Sequence, residues 1–251
     1  MKNKTDIIWL KETDSTNNEA KRRIAHLDNL SVLSSMSQTS GRGQQGNSWS
    51  SEAGKNLLFS IVMKHGRGLV KACSQFGFSQ VAALAVVNTL KDKGISAMIK
   101  WPNDIYVEDR KICGILIENS LREEWTISSI IGIGLNVNQT EFDITLPNPV
   151  SMSLITGETY DLHEILGQLL ESFESLWDTY LNKPEGSADI NHMYHQKMWR
   201  KDVAAEYVDC ISGRRFDAVI KGVDDKGRLL IHDQQEDKVK EFNFKEISFV
   251  L

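Results

Sequence analysis

The stretch Lys100-Trp-Pro-Asn-Asp-Ile-Tyr-Val-Glu-Asp-Arg-Lys-Ile-Cys-Gly-Ile-Leu-Ile-Glu118 decides the fold. It reads as strand, tight turn, strand. An apolar run ends at Ile99, and Pro102-Asn103-Asp104 is a turn signal. Ile105-Tyr106-Val107 is short and β-prone, and Glu108-Asp109-Arg110 is a polar turn. Residues 112–117 form a nearly continuous apolar run, the pattern of a strand buried on both faces. Lys111 therefore stands at the mouth of a buried strand. Gly114 lies inside it, where a strand glycine often marks close approach of a ligand or a second backbone. Lys100 enters the same hairpin. Such an arrangement suits an anionic ligand held against a rigid sheet.

Upstream, Ile7-Ile8-Trp9-Leu10 reads as a first strand, and a helix follows to about Leu27. Thr16 with Glu19 fits a capping box. Ser15, Thr16 and Asn17 either only start that helix or line a pocket at its N-terminus, where backbone N–H groups also point outward. A second strand over residues 31–39 runs into a long polar loop, residues 38–55, with glycines at 41, 43, 46 and 54. Gly41 to Gly46 matches Gly-x-Gly-x-x-Gly, but no helix opens at these glycines, so a dinucleotide fold is not indicated. A mobile anion-binding lid fits better, with Arg42 as its cation and backbone amides as donors. Residues 56–64 form an apolar strand. Residues 74–91 form a helix apolar on most sides, hence buried, with Gly94 as its cap.

Downstream, residues 128–137 read as another buried strand carrying Gly132, Gly134 and Asn136 on one face. Either a flat ligand lies over the missing side chains, with Asn136 reading an edge, or the strand packs closely under a helix. Residues 161–181 have clean helical periodicity, with an aromatic stripe that belongs to a core. A shorter helix follows to about Arg200. From Val203 to the C-terminus, short strands alternate with polar turns at 212–213, 224–227 and 234–237, the signature of a small β-barrel. The 251 residues carry a net charge of −5, which provides no general footprint for nucleic acid. Cys73, Cys113 and Cys210 are far apart, so neither a disulfide framework nor a metal site is suggested. No long apolar span or signal peptide is visible, and a cytoplasmic location without membrane attachment is the default expectation.

Four motifs, in order, resemble those of the biotin protein ligases. They are Ser15-Thr16-Asn17; Gln38 with Gly41-Arg42-Gly43-x-x-Gly46-x-x-Trp49; Lys100-Trp-Pro-Asn-Asp104 followed by Lys111-x-x-Gly114-Ile-Leu; and Gly132-x-Gly134-x-Asn136. The resemblance spans nearly the whole chain. It implies an α+β fold, with a mixed β-sheet flanked by helices in a class II synthetase-like catalytic domain (residues 1–200). A small SH3-like C-terminal domain (residues 201–251) would follow. It also implies two half-reactions. Biotin and Mg-ATP yield biotinyl-5′-adenylate, and a lysine of a biotin carboxyl carrier protein then takes the biotin and releases AMP. By resemblance, Ser15, Thr16, Asn17, Gln38, Arg42, Gly43, Gln44, Lys111 and Gly114 hold biotin. Arg42, Trp49, Lys100, Asn103, Lys111, Gly134 and Asn136 meet the nucleotide, and Lys111, Arg42 and Asp104 serve the chemistry. The oligomeric state implied is monomer or homodimer.

Two departures stand out. The chain starts directly at the first catalytic strand, so it resembles the single-function ligases that lack a DNA-binding domain, and no DNA partner is expected. In the lid, Gln44 replaces the second arginine of the usual Gly-Arg-Gly-Arg-x-Gly, which predicts a weaker grip on the adenylate unless Arg67 or Lys55 compensates. The competing readings are a lipoate or octanoate ligase or transferase of the related fold, and a non-enzymatic biotin-binding module.

Overall fold

The hairpin expected after Ile99 forms one end of a seven-stranded sheet in the computed structural model, which describes residues 6–66, 70–71 and 75–250. Arg67, Cys73 and the expected helix start at Ser74 lie outside the described residues. The strands are β1 (Ile7–Leu10), β2 (Val32–Ser35), β3 (Leu57–Lys64), β4 (Met98–Lys100), β5 (Asp104–Val107), β6 (Arg110–Arg122) and β7 (Trp125–Leu135). Their order is β1-β2-β3-β7-β6-β5-β4. The β1–β2 pair is parallel and the other pairs are antiparallel, so the sheet is mixed, as expected.

Side chains alternate across a strand, and this gives the sheet two unlike faces. Along β3, Leu57, Phe59, Ile61 and Met63 enter the main core. Val62 points the other way, into a small cluster with Ala20, Leu27, Leu33 and Ile130. The main core lies under α2 (Phe76–Asp92) and, after the short α3 (Met152–Thr156), α4 (Leu162–Asn182), with α5 (Gly186–Gln196) packed on α2 and α4. The second face carries α1 (Thr16–Arg23), set over β2, β3 and β7. One short helix covers little of that face, and the uncovered part becomes the cleft.

The helical periodicities hold. α2 is buried nearly all round, and α4 buries Ile165, Leu166, Leu169, Phe173 and Trp177 along one stripe. Asp161 caps α4, its carboxylate accepting from the His163 and Glu164 N–H groups. Three local expectations change. The capping box does not form, because Glu19 pairs with Arg22 and Arg23 instead and Ser15 is the N-cap residue. α1 stops at Arg23, short of Leu27. The apolar run at 112–117 is packed on one face only; on the other, Gly114 and Leu116 border the cleft.

The C-terminal part is a five-stranded antiparallel sheet in the order β11-β10-β9-β8-β12, consistent with an SH3-like domain. Its strands are β8 (Ala204–Asp209), β9 (Arg215–Val223), β10 (Leu229–Asp233), β11 (Lys238–Phe242) and β12 (Ile247–Phe249). Its turns fall where the polar clusters stand in the sequence. Trp101 joins it to the larger sheet, donating from Nε1 to the Gly227 carbonyl at 2.9 Å. No helix among the described residues is long and apolar enough to cross a membrane.

Asp233 supports this small sheet electrostatically. Burial by itself raises its pKa. Hydrogen bonds from Lys240, from the Glu236 and Gln235 N–H groups and from Arg214 outweigh that and bring it from 3.8 down to about 2. A carboxyl whose folded pKa is depressed stabilises above its unfolded pKa and loses that contribution as pH falls through the folded one. The C-terminal sheet is therefore expected to lose stability between about pH 4 and pH 2, and Asp233→Asn to flatten that part of the profile. Thermal melts across this window check it; an unchanged acid slope in the variant would assign the loss to other groups.

Candidate active site

Residues paired directly across neighbouring strands share a face, so the register lays out the cleft floor. One row reads Leu58, Gly134, Gly114, Asp104 across β3, β7, β6 and β5. The next reads Ser60, Gly132, Leu116; the row after it on the same face, Val62, Ile130, Glu118, lies beyond the cleft lining, beside α1. The glycines are seats for protein side chains. A Cβ on Gly132 would lie 2.3 Å from Asn17 Oδ1, and one on Gly134 would lie 2.5 Å from the Trp49 ring. Gly114 meets the same ring at 2.8 Å. A flat group does lie on this platform, and it is the indole of Trp49. Its Nε1–H is buried with no acceptor, a donor left over for a ligand.

One wall is the start of α1. Ser15, Thr16 and Asn17 are buried and line the cleft, so they do more than begin a helix. Gln38 accepts from the Thr16 N–H at 2.7 Å and takes the place of a side-chain cap. Ser60 Oγ lies 2.6 Å from Asn17 Oδ1 and 2.8 Å from Thr16 Oγ1. An amide oxygen only accepts, so Ser60 donates to Asn17 and takes the Thr16 proton. Asn17 Nδ2 donates to the Leu116 carbonyl and to Glu118. These polar groups are tied to one another and to the sheet, which fixes the shape of this end of the cleft.

The cationic end is made by a bulge. Ile105 pairs with Cys113 but Tyr106 pairs with Lys111, so β6 carries an extra residue at Ile112. The bulge re-aims Lys111 onto the Gly114 face, where its Cε is 3.5 Å from the Gly114 Cβ position. Lys111 Nζ sits 2.7 Å from Asp104 Oδ1 and 5.5 Å from the Trp49 ring centre. Arg42, from the loop, pairs with Glu118 at 3.2 Å and donates to Asn18 at 2.8 Å. Burial alone would raise the Glu118 pKa. Hydrogen bonds from Lys21 and Asn17 and the charges of Arg42 and Lys21 lower it below the usual carboxylate range. Glu118 does not stand out in the sequence, although counting by twos from Gly114 places it on the cleft face.

Ser15, Thr16, Asn17, Gln38, Arg42, Gly43, Gln44, Trp49, Asn103, Asp104, Lys111, Gly114 and Gly134 all border one cleft. Two expected residues do not. Lys100 turns away; its Nζ donates to the Tyr106 hydroxyl at 2.9 Å and lies 4.5 Å from the Tyr106 ring centre, with Trp199 and Phe249 closing around it. β4 is the sheet edge, and the aromatic faces of Tyr106, Trp199 and Phe249 capture this ammonium. Asn136 lies beyond the end of β7, and its Nδ2 donates to the Val150 carbonyl at 3.0 Å, so its amide anchors a loop. Lys55 does not border the cleft. A second cavity shares Gln44, Asn103 and Ile115 with the first and runs towards Phe76 and Phe244.

Comparison with known proteins agrees with the motifs. Residues 9–136 match the biotin/lipoate A/B protein ligase family. The chain is 30% identical over 204 residues to the bifunctional ligase/repressor BirA of Bacillus spizizenii, covering 79% of this chain and 60% of that protein. It thus spans about three fifths of the length of the BirA proteins of Bacillus that it matches. It is also 30% identical to the biotin–[acetyl-CoA-carboxylase] ligase of Paracoccus denitrificans, over 88% of this chain and 92% of that one. The structure of the Aquifex aeolicus biotin protein ligase in complex with biotin and ATP superimposes with a TM-score of 0.79 at 26% identity, covering 98% of both chains. With the mixed sheet, the four motifs and these relatives in agreement, the chain belongs to the biotin/lipoate A/B protein ligase family.

Proposed function

We propose that the protein is an ATP-dependent biotin protein ligase that makes biotinyl-5′-adenylate and transfers biotin to a lysine of a carboxyl carrier domain. The observation that carries this reading is the cleft itself. A buried, hydrogen-bonded amide and hydroxyl cluster at one end, with Arg42 beside it on the loop, faces Lys111 at the other. The first end suits the ureido group of biotin, and the second suits its carboxylate and the α-phosphate. The second cavity leaves room for the rest of a two-part ligand. Residues 1–200 are assigned as the catalytic domain and 201–251 as the C-terminal domain.

In this reading the biotin carboxylate attacks the α-phosphorus, an oxygen–phosphorus bond forms, and pyrophosphate leaves. Two anions must approach, so Lys111 and Arg42 offset their charge and orient them. The carrier lysine amine then attacks the acyl carbon and AMP departs. No protein nucleophile is required, and Cys113 is unsuited to the role because burial pushes its thiol well above the ordinary range. Mg²⁺ would arrive on the ATP phosphates, as is usual for this ion, with Asp104 the carboxylate placed to meet it and its charge offsetting theirs. The reaction belongs in the cytoplasm, without DNA or membrane, by a monomer or homodimer.

Biotin-dependent exchange of labelled pyrophosphate into ATP tests the function, run beside lipoate and octanoate. Exchange with biotin alone is expected. Exchange with lipoate or octanoate would move the protein to the related branch of the family, and binding of biotin without exchange would make it a binding module.

Gln44 borders both cavities with a neutral amide. Charge-assisted hydrogen bonds are roughly twice as strong as neutral ones. Gln44→Arg is therefore expected to slow escape of biotinyl-adenylate several-fold, and Arg42→Ala to speed it and weaken biotin binding. Trapping free adenylate with hydroxylamine after a single turnover without carrier measures both. An unchanged rate in Gln44→Arg would show that this position does not set the grip.

A further inference from the structure

Three elements meet at the Glu118 carboxylate. From α1, Asn17 Nδ2 donates to Oε2 and Lys21 Nζ to Oε1, each at 3.0 Å. From the loop, Arg42 brings both terminal nitrogens, with Nη1 3.2 Å from Oε2 and Nη2 3.2 Å from Oε1. This two-point pairing fixes the guanidinium in orientation as well as position. The carboxylate is itself held by α1, so it stands ready for Arg42 without rearranging.

Arg42 does not hang on a loose loop. The Gly43 N–H donates to the Asn47 carbonyl at 2.7 Å and the Trp49 N–H to the Gly41 carbonyl at 2.9 Å. Arg42 and Ser48 form an antiparallel bridge between them. Residues 41–49 are thus a small hairpin with two fastenings on the sheet. Trp49, on one arm, rests on Gly114 and Gly134. Arg42, on the other, pairs with Glu118. Both arms border the cleft, so the hairpin crosses its mouth as a strap.

We propose that Glu118 is the strand-side half of a latch that holds this hairpin over the cleft and sets how long a bound molecule stays there. Glu118 is a positioning residue that acts through Arg42. The inference rests on the ligase reading for the identity of the occupant. For a reactive acyl-adenylate such a latch limits escape into water before a carrier lysine arrives. The pair is partly exposed, with the Arg42 side chain 41% and the Glu118 side chain 17% accessible, so added salt weakens it.

The test is the dissociation rate of labelled biotin from the intact protein, chased with unlabelled biotin. Wild type, Glu118→Gln, Arg42→Gln and the double variant are compared at low and high salt. Glu118→Gln is expected to speed release roughly two- to fivefold at low salt, the range of a partly exposed ion pair. It should add nothing in the Arg42→Gln background, as two partners of one interaction should behave. Release from wild type should quicken with salt more steeply than release from Glu118→Gln, which keeps only the salt dependence of the ligand's own charge contacts. Lys21→Met removes one anchor of the carboxylate but not its pairing with Arg42 and should quicken release less than Glu118→Gln; release as fast as in Glu118→Gln would attribute the effect to general loosening of the cluster and overturn the latch. So would an unchanged rate in Glu118→Gln, or an effect that persists without Arg42, which would pass the role to Asn17. Wild-type protein that retains no biotin overturns the ligase reading and the latch with it. Wild-type protein that retains biotin while Glu118→Gln behaves identically overturns the latch alone.

Discussion

Lys111→Ala is expected to slow adenylate formation by about a hundredfold or more, the usual cost of removing one charge-stabilising donor from a preorganised site. The geometry explains the size. The β6 bulge directs Lys111 onto the cleft face, and Asp104 holds its ammonium at 2.7 Å, beside the Trp49 ring that rests on the glycine floor. The cation is thus in place before the carboxylate and phosphate approach, and no reorganisation is needed as charge develops. The fold should survive. The Lys111 side chain is 32% accessible and its Asp104 partner 20%, so the carboxylate left behind still reaches solvent. Pyrophosphate exchange measures the rate and a thermal melt checks the fold. An Ala variant that exchanges at near wild-type rate would remove Lys111 from the mechanism.

Gly132→Ala is expected to cost on the order of a hundredfold in biotin affinity, the scale of a 1 Å misplacement in a positioned site. The added Cβ would lie 2.3 Å from Asn17 Oδ1. Asn17 cannot swing aside cheaply. It is buried, it accepts from Ser60, and it donates to Leu116 and Glu118. Displacing it disturbs one whole end of the cleft. Gly167→Ala is the matching control, since it lies inside α4 with no atom within 4 Å of its Cβ position. That change should raise stability by about 0.5–1 kcal/mol and leave binding alone. Calorimetric titration with biotin on both variants separates the two effects; unaltered affinity in Gly132→Ala would mean that Asn17 does not shape the biotin site.

The glycine platform also shows how a local pattern acquires its meaning. Gly132 and Gly134 lie on one face of β7 because strand side chains alternate, and that is legible from spacing alone. What covers them is not, because Asn17 and Trp49 are far away in the chain. Lys111 illustrates the same limit. A regular strand would send residues 111 and 114 to opposite faces, and only the pairing of Tyr106 with Lys111 reveals the bulge that unites them.

The sequence by itself determined the elements and their order. The apolar run of β3, the all-round burial of α2, the stripe of α4 and the polar turns of the C-terminal sheet all follow from residue type and periodicity, which are local properties. It also determined most of the cleft residues, because their types and spacing match one family. The tertiary structure alone decided which side chains meet. It drew Lys100 among the rings of Tyr106, Trp199 and Phe249, spent the Asn136 amide on Val150, and brought Glu118 to Arg42. The destination of a long or polar side chain depends on partners supplied by distant strands and helices. Packing brings those partners within reach, and no periodicity within one segment encodes it.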